Sequence, residues 1–263
     1  MASITQFYKE RCYLTADEKL VPKYWHPQVI DPVPYTLHAD ATRVCDPAWG
    51  VHDVIQRILA LGLELELPVG EFVADYLATE ERNALKLLLK SNVADEAHHF
   101  RGFQLAVSAY PLCEQVKVEA KEVSDRWMNM RENTPAIALA AALEIGVFLP
   151  SLAALRLFGG SSLSRMADGI SRDEYRHAAV NRMLVDRSGY ELMDLSGLVL
   201  ETIAWIFQGL DIPKSVLGAN VDWKFFEKAS YDLMLNGSAQ ELDDLVNYAD
   251  HLLPFEISNH KLY

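Results

Sequence analysis

The chain has 263 residues, of which 50% are hydrophobic, and it carries a formal net charge of −13. That length and composition suit one large domain with a substantial core. The negative charge argues against a nucleic-acid-binding surface, since the sequence contains no evident run of clustered Lys and Arg. Cys12, Cys45 and Cys113 are few and far apart, so they predict neither a disulfide framework nor a cysteine metal site and favour the reducing cytoplasm.

The first fifty residues differ in composition from the remainder of the chain. Five prolines lie among aromatic residues there, which predicts an irregular arm over residues 1–50, with room for one short helix, that wraps the core. No basic region followed by an apolar stretch is present, so no secretory signal is expected. The rest of the chain is predicted to be all-α, with a four-helix core at residues 51–190 and further helices at residues 191–263, in one domain overall.

The first long helix is predicted from Val51 to Ala78, because its charged residues recur at the helical period along one stripe. Glu64 belongs to that charged stripe. Glu66 falls on the opposite, apolar face and is therefore the preferred inward-facing carboxylate.

Six further helical segments follow, with little sign of β-structure. The three that complete the core run from Thr79 to about Tyr110, from Thr134 and Pro135 to Gly159, and from Ser161 to about Ser188; the C-terminal runs cover residues 192–208, 223–235 and 239–253. Residues 133–155 contain one charged residue, Glu144, and could imitate a membrane span. A carboxylate near the centre, together with Pro150, favours a helix buried within protein instead.

Four residues with metal-binding side chains occur twice at a constant interval of 78 positions. The pairs are Glu66 with Glu144, Asp95 with Asp173, Glu96 with Glu174, and His99 with His177. In a helix, residues three apart share a face, so each Glu-x-x-His presents a carboxylate and an imidazole to one point. Two divalent metals would neutralise carboxylates that otherwise repel each other in a core. Oxygen and nitrogen ligands suit iron or manganese better than structural zinc.

This pattern resembles the ferritin-like di-iron and di-manganese carboxylate proteins, in which two helices give one Glu each and two give Glu-x-x-His. The resemblance covers roughly Asp53 to Arg187. It implies a ferritin-like four-helix bundle with two iron ions, or a Mn/Fe pair, bound by Glu66, Glu96, His99, Glu144, Glu174 and His177. Asp95 and Asp173 would accept the other ring N–H of the histidines; solvated helix aspartates are the alternative. For Glu144, the alternative is a buried carboxylate paired with Arg156.

Two segments resemble aldehyde-deformylating oxygenases: Glu96-x-x-His99-x-Arg101-Gly102-Phe103 and Arg172-Asp173-Glu174-Tyr175-x-His177. The resemblance implies an oxidase or oxygenase that activates O2 and acts on a small, apolar organic substrate. Such an enzyme needs reducing equivalents. Since no flavin or nicotinamide fingerprint is present, an external electron donor such as a ferredoxin or a reductase is expected.

Two other functions stay open. The ligand set is similar to that of the ribonucleotide reductase small subunit, which generates a radical, although Phe103 stands where that family usually carries its radical tyrosine. Bacterioferritin-like ferroxidases use the same six ligands, but they are shorter bundles. Gel filtration would identify a storage shell.

Small and apolar residues accompany the ligands on the inner helix faces, which predicts an apolar substrate pocket beside the metals. Phe103 and Phe148 are expected to line it. Asn181, one turn past His177, is expected either to hold a water or substrate there or to make an ordinary core hydrogen bond. The long apolar helices are compatible with a homodimer.

Overall fold

The computed structural model describes residues 12–14, 20–22 and 47–252. The predicted irregular arm lies mostly outside these residues. Within its described part, β1 (Cys12–Leu14) pairs antiparallel with β2 (Leu20–Pro22), and a 3-10 turn spans Pro47–Trp49. This strand pair was not expected from the sequence.

The described chain is mostly helical, as predicted. In chain order the segments are α1 (Val51–Thr79), α2 (Asn83–Ala109), α3 (Glu114–Asn129), α4 (Ala136–Ala142), a π segment (Leu143–Phe148), α5 (Leu149–Phe158) and α6 (Gly160–Ser188). α1 packs along α2, and the continuous α4–π–α5 helix packs along α6. The two hairpins also pack on each other through α1 with α4 and α2 with α6. The four long helices predicted for the core are therefore present, although α2 starts at Asn83 rather than Thr79.

α3 was not predicted. Its buried residues are Val116, Ala120, Val123, Ser124 and Trp127, and the apolar ones recur at intervals of four, three and four, the period of a helix with one buried face. That face lies on α1, and the Nε1 of Trp127 donates a hydrogen bond to Thr202 Oγ1 at 3.1 Å. α3 thereby links the core to the C-terminal helices.

The C-terminal region forms a second helical layer. A 3-10 turn (Leu192–Leu195) precedes α7 (Ser196–Phe207), α8 (Lys214–Leu217), α9 (Trp223–Asn236) and α10 (Gln240–Leu252). α7 and α9 pack on each other and on the π segment. A short ladder of β3 (Asp211–Ile212) with β4 (Val221–Asp222) again departs from the expectation of little β-structure.

Two prolines interrupt long helices, and neighbouring serines satisfy the carbonyls that they leave. An α-helical N–H donates to the carbonyl four residues earlier, and proline has no N–H. The carbonyl of Glu64, four residues before Pro68, accepts from Ser124 Oγ at 3.2 Å. The carbonyl of Gly146, four residues before Pro150, accepts from Ser230 Oγ at 2.6 Å. The π segment lies just before Pro150, as expected where the regular ladder cannot continue.

The helical run Ala136–Phe158 is 23 residues long and apolar enough to cross a membrane by length and composition. In the structure, 94% of its most apolar window is buried inside the protein. It therefore serves as the central core helix, in agreement with the sequence interpretation.

The π segment provides a test of the packing between the two layers. A Cβ added at Gly146 would lie 2.6 Å from Val199 Cγ1 on α7, so Gly146→Ala should lower the free energy of unfolding by about 1–3 kcal/mol through overpacking. The measurement is chemical denaturation. Gly197→Ala is the control, because nothing lies within 4 Å of an added Cβ there, and this change should be neutral or stabilising. Wild-type stability of Gly146→Ala would contradict the packing described.

Candidate metal centre

The six residues predicted as ligands converge between the four long helices. α1 supplies Glu66, the π segment supplies Glu144, α2 supplies Glu96 and His99, and α6 supplies Glu174 and His177. None is more than 4% exposed. These six residues are called the carboxylate-histidine cluster below.

Within the cluster, two groups of four residues could each hold a metal ion. Position 1 comprises Glu66, Glu96, His99 and Glu174, and position 2 comprises Glu96, Glu144, Glu174 and His177. In each group the ligand atoms lie within 4.8 Å of one another. Glu96 and Glu174 belong to both groups, so each has one carboxylate that can bridge two ions.

Both histidines direct the same ring nitrogen at the carboxylates. The Nδ1 of His99 lies 3.0 Å from Glu174 Oε1 and 3.4 Å from Glu96 Oε2. The Nδ1 of His177 lies 3.0 Å from Glu96 Oε1. Nδ1 is therefore the atom that each imidazole offers to a metal ion.

The opposite ring nitrogens contact the two predicted aspartates, in a crossed arrangement. His99 Nε2 lies 3.3 Å from Asp173 Oδ2, and His177 Nε2 lies 3.2 Å from Asp95 Oδ2. Each aspartate thus contacts the histidine of the other sequence repeat. Both aspartates are buried, at 0% and 3% exposure, so they are not solvated helix residues. A carboxylate on Nε2–H fixes the ring and leaves the Nδ1 lone pair for a ligand.

Burial and mutual repulsion govern protonation of the metal-free cluster. Burial raises the pKa of Glu66 and Glu144 well above the usual range, and burial together with Glu96 raises the pKa of Glu174. For Glu96, burial is outweighed by hydrogen bonds from His177 and His99, which hold its pKa below the usual range. The surrounding carboxylates likewise outweigh burial and raise the pKa of both histidines. Protons therefore partly neutralise the cluster, and divalent cations would displace them.

When each imidazole carries its proton on Nε2, several buried atoms of the cluster have no hydrogen-bond partner among the described residues. They are Glu66 Oε2, both carboxylate oxygens of Glu96 and of Glu174, and His177 Nδ1. A buried unpartnered polar atom costs about 1–3 kcal/mol, so such atoms are rare and need an explanation. Coordination to metal ions would satisfy all six, and the donor set fits that role.

Asn181 contacts Glu144, not the predicted substrate pocket. Its Nδ2 donates to both carboxylate oxygens of Glu144, at 2.8 and 2.7 Å. Arg156, considered above as a partner for Glu144, lies 3.9 Å from Asp168. Asn181 is absent from the lining of the cavity beside the cluster, so that part of the pocket prediction is not supported. Of the alternatives considered for Asn181, the ordinary core hydrogen bond is the one found, and its acceptor is a cluster residue.

A narrow cavity reaches the cluster at Glu66, and its free space of about 10 Å³ is no larger than about one water molecule. Its described lining residues are Ile58, Leu61, Gly62, Glu66, Phe103, Phe148, Ser151 and Leu152. The Ser151 hydroxyl donates to the Val147 carbonyl at 2.7 Å, so Glu66 contributes the charged surface to an otherwise apolar space. The Phe103 ring packs against Gly62, where any Cβ would approach it to 2.6 Å.

The fold and the site together define an all-α protein with a buried cluster of glutamates and histidines that could hold metal ions. Comparisons with protein-family models, with curated proteins and with solved structures find no match.

Metal ions should stabilise the fold. When Fe²⁺ or Mn²⁺ is added under nitrogen to chelator-treated protein, the Tm should rise, because an ion at a hundred times its Kd contributes about 2.7 kcal/mol. Differential scanning fluorimetry measures this shift.

Two neighbouring glutamates on α1 provide the matched variants. Glu66→Ala should reduce the metal-induced rise in Tm, since Glu66 is 1% exposed and belongs to position 1. Glu64→Ala should keep the wild-type rise, because Glu64 is only partly buried and lies outside both groups. An unchanged Tm in wild-type protein, or equal responses of the two variants, would contradict the site.

Proposed function

We propose that the chain is a ferritin-like di-metal carboxylate protein that activates O2 to oxidise a small, apolar organic substrate. The observation that carries the proposal is the pair of overlapping ligand groups that share Glu96 and Glu174. Two shared carboxylates between two imidazoles fit a pair of ions, whereas one ion would leave part of the donor set unused. The resemblance of the repeated Glu and Asp-Glu-x-x-His motifs to the ferritin-like superfamily supports the same conclusion.

Two iron ions, or a Mn/Fe pair, would supply the redox chemistry for reducing dioxygen. The protein side chains hold and orient this centre. Glu96 and Glu174 would bridge the ions, and the Nδ1 atoms of His99 and His177 would each bind one. Asp173 and Asp95 hold the two rings through Nε2. The apolar walls around the cavity keep water away from a strong oxidant.

The surroundings of Phe103 favour substrate oxidation over radical storage. Its ring lines the cavity and carries no hydroxyl that could hold a radical one turn beyond His99. Tyr110 lies seven residues further along the chain and hydrogen-bonds to His52, and Tyr175 is 50% exposed. An iron-handling role would not require the cavity that ends at Glu66.

Metal content tests the ligand assignment directly. After aerobic expression with iron and manganese, wild-type protein should contain about two ions per chain by elemental analysis. His177→Ala should contain one or fewer, with a largely unchanged helical circular dichroism signal. His98→Ala is the control, because His98 is only partly buried and belongs to neither ligand group. Full loading of His177→Ala would contradict the assignment.

Dioxygen chemistry distinguishes the three functions. Supplied with O2 and an electron donor, the protein should oxidise an added apolar substrate, consume two reducing equivalents per turnover beside the two electrons taken from the substrate, and stop under strict anaerobiosis. A persistent radical or a stable mixed Mn/Fe signal by electron paramagnetic resonance would favour the radical-generating alternative. Assembly into a hollow shell by gel filtration would favour iron handling.

The external electron donor is proposed to dock on the outer surfaces of α2 and α6. Every charged side chain of α2 that reaches solvent is basic, namely Lys86, Lys90 and Arg101. On α6, five arginines reach solvent beside two acidic residues, Asp168 and Asp186. Such a basic surface is unusual in a chain of net charge −13, and it suits an acidic donor of the ferredoxin class. Arg176 contacts Asp173 at 3.1 Å, and Asp173 contacts His99, so this surface lies close to the cluster.

Charge reversal tests this docking surface. Arg101→Glu combined with Arg172→Glu should slow reduction of the oxidised centre by a reduced plant-type ferredoxin at least tenfold at low salt, because steering by opposite charges is lost. Stopped-flow absorbance measures the rate. Lys117→Glu on α3 is the control, since Lys117 is similarly exposed and paired with an acidic neighbour. Equal slowing by both variants, or no effect of the double change, would contradict the surface.

A further inference from the structure

The interval of 78 residues that relates the ligand motifs also relates Phe103 to Asn181. Both lie one helical turn beyond a cluster histidine, and they are chemically unlike. We infer that this difference makes the two metal positions unequal: Asn181 fixes Glu144, so that position 2 holds its ion more tightly, whereas position 1 is the exchangeable site beside the apolar cavity. The inference rests on the proposed di-metal function.

Position 2 is held by two independent features. Asn181 is fully buried, and its Nδ2 lies 2.8 and 2.7 Å from the two carboxylate oxygens of Glu144. A single donor between both oxygens fixes the orientation of the carboxylate. Glu144 also lies within the π segment, whose backbone is anchored by the hydrogen bond from Ser230 to Gly146. Both the side chain and the backbone of this ligand are therefore constrained before any ion binds.

Position 1 has no corresponding amide. The residue that occupies the equivalent place is Phe103, which cannot donate a hydrogen bond to Glu66. Glu66 Oε2 lies 3.5 Å from His99 Nδ1, a longer contact than either of those between Asn181 and Glu144, and Glu66 lines the cavity while Glu144 and His177 do not. The carboxylate at position 1 thus lacks the paired amide contacts found at position 2, and the cavity leads to position 1.

The expected magnitude follows from the effect of groups that orient metal ligands. Removing a hydrogen bond to a ligating group typically weakens metal affinity 10–100-fold. Asn181→Leu keeps a similar volume but removes the donor, so it should weaken position 2 by that factor. Phe103→Leu keeps the cavity apolar and touches no ligand hydrogen bond, so both affinities should stay within about threefold of wild type.

The experiment is an anaerobic titration of chelator-treated protein with Mn²⁺, followed by electron paramagnetic resonance. Wild-type protein should bind two equivalents in two steps, the first as an isolated Mn²⁺ and the second, more weakly, to give the signal of a coupled pair. In Asn181→Leu the tight first step should be lost, because the affinity of position 2 falls 10–100-fold. Asn181→Ala should behave in the same way, and circular dichroism checks that both variants are folded.

The outcomes separate this inference from the proposed function. Wild-type protein that binds fewer than two ions would overturn both. Wild-type protein that binds two, together with an Asn181→Leu variant that matches it or loses both ions equally, would overturn only the inference. If Mn²⁺ affinity falls in Asn181→Leu but not in Asn181→Ala, the leucine side chain crowds the site. That result would also overturn the inference.

Discussion

The fold depends on how six carboxylates are accommodated in one core. Glu66, Glu96, Glu144, Glu174, Asp95 and Asp173 are all at most 3% exposed, and the two cluster histidines, Asn181 and Arg176 are the main groups that contact them. The six unpartnered cluster atoms, at about 1–3 kcal/mol each, would together offset a large share of the 5–15 kcal/mol by which a domain is usually stable. In the metal-free protein, bound protons remove part of this energetic cost of burying the carboxylates. Divalent ions would remove more of it.

The helices outside the four-helix core also support the site. Ser124 on α3 and Ser230 on α9 donate to carbonyls left without a helical partner by Pro68 and Pro150. The second of these hydrogen bonds anchors the π segment that carries Glu144. α9 is therefore part of how Glu144 is held, and α3 supports the α1 backbone two residues before Glu66.

The sequence predicted the site more completely than its surroundings. Helical periodicity separated Glu66 from Glu64, and the repeated spacing identified all six cluster residues, because both signals depend on positions within one helix. The crossed contacts of Asp95 with His177 and of Asp173 with His99 depend on how α2 and α6 pack, which local spacing does not encode. The Asn181–Glu144 contact was missed for the same reason. By contrast, α3 was predictable from the helical intervals between its apolar residues. Pro150 was likewise a local signal for an irregular helix near Glu144.

The central claim is that two ions occupy one site between the four helices. A crystal structure of the iron-loaded protein, with anomalous difference maps recorded at the iron edge, tests it most directly. Two peaks about 3.5–4 Å apart, bridged by Glu96 and Glu174 and each bound by one histidine Nδ1, are the predicted result. A single peak, ligation through Nε2, or no peak within the carboxylate-histidine cluster would contradict it.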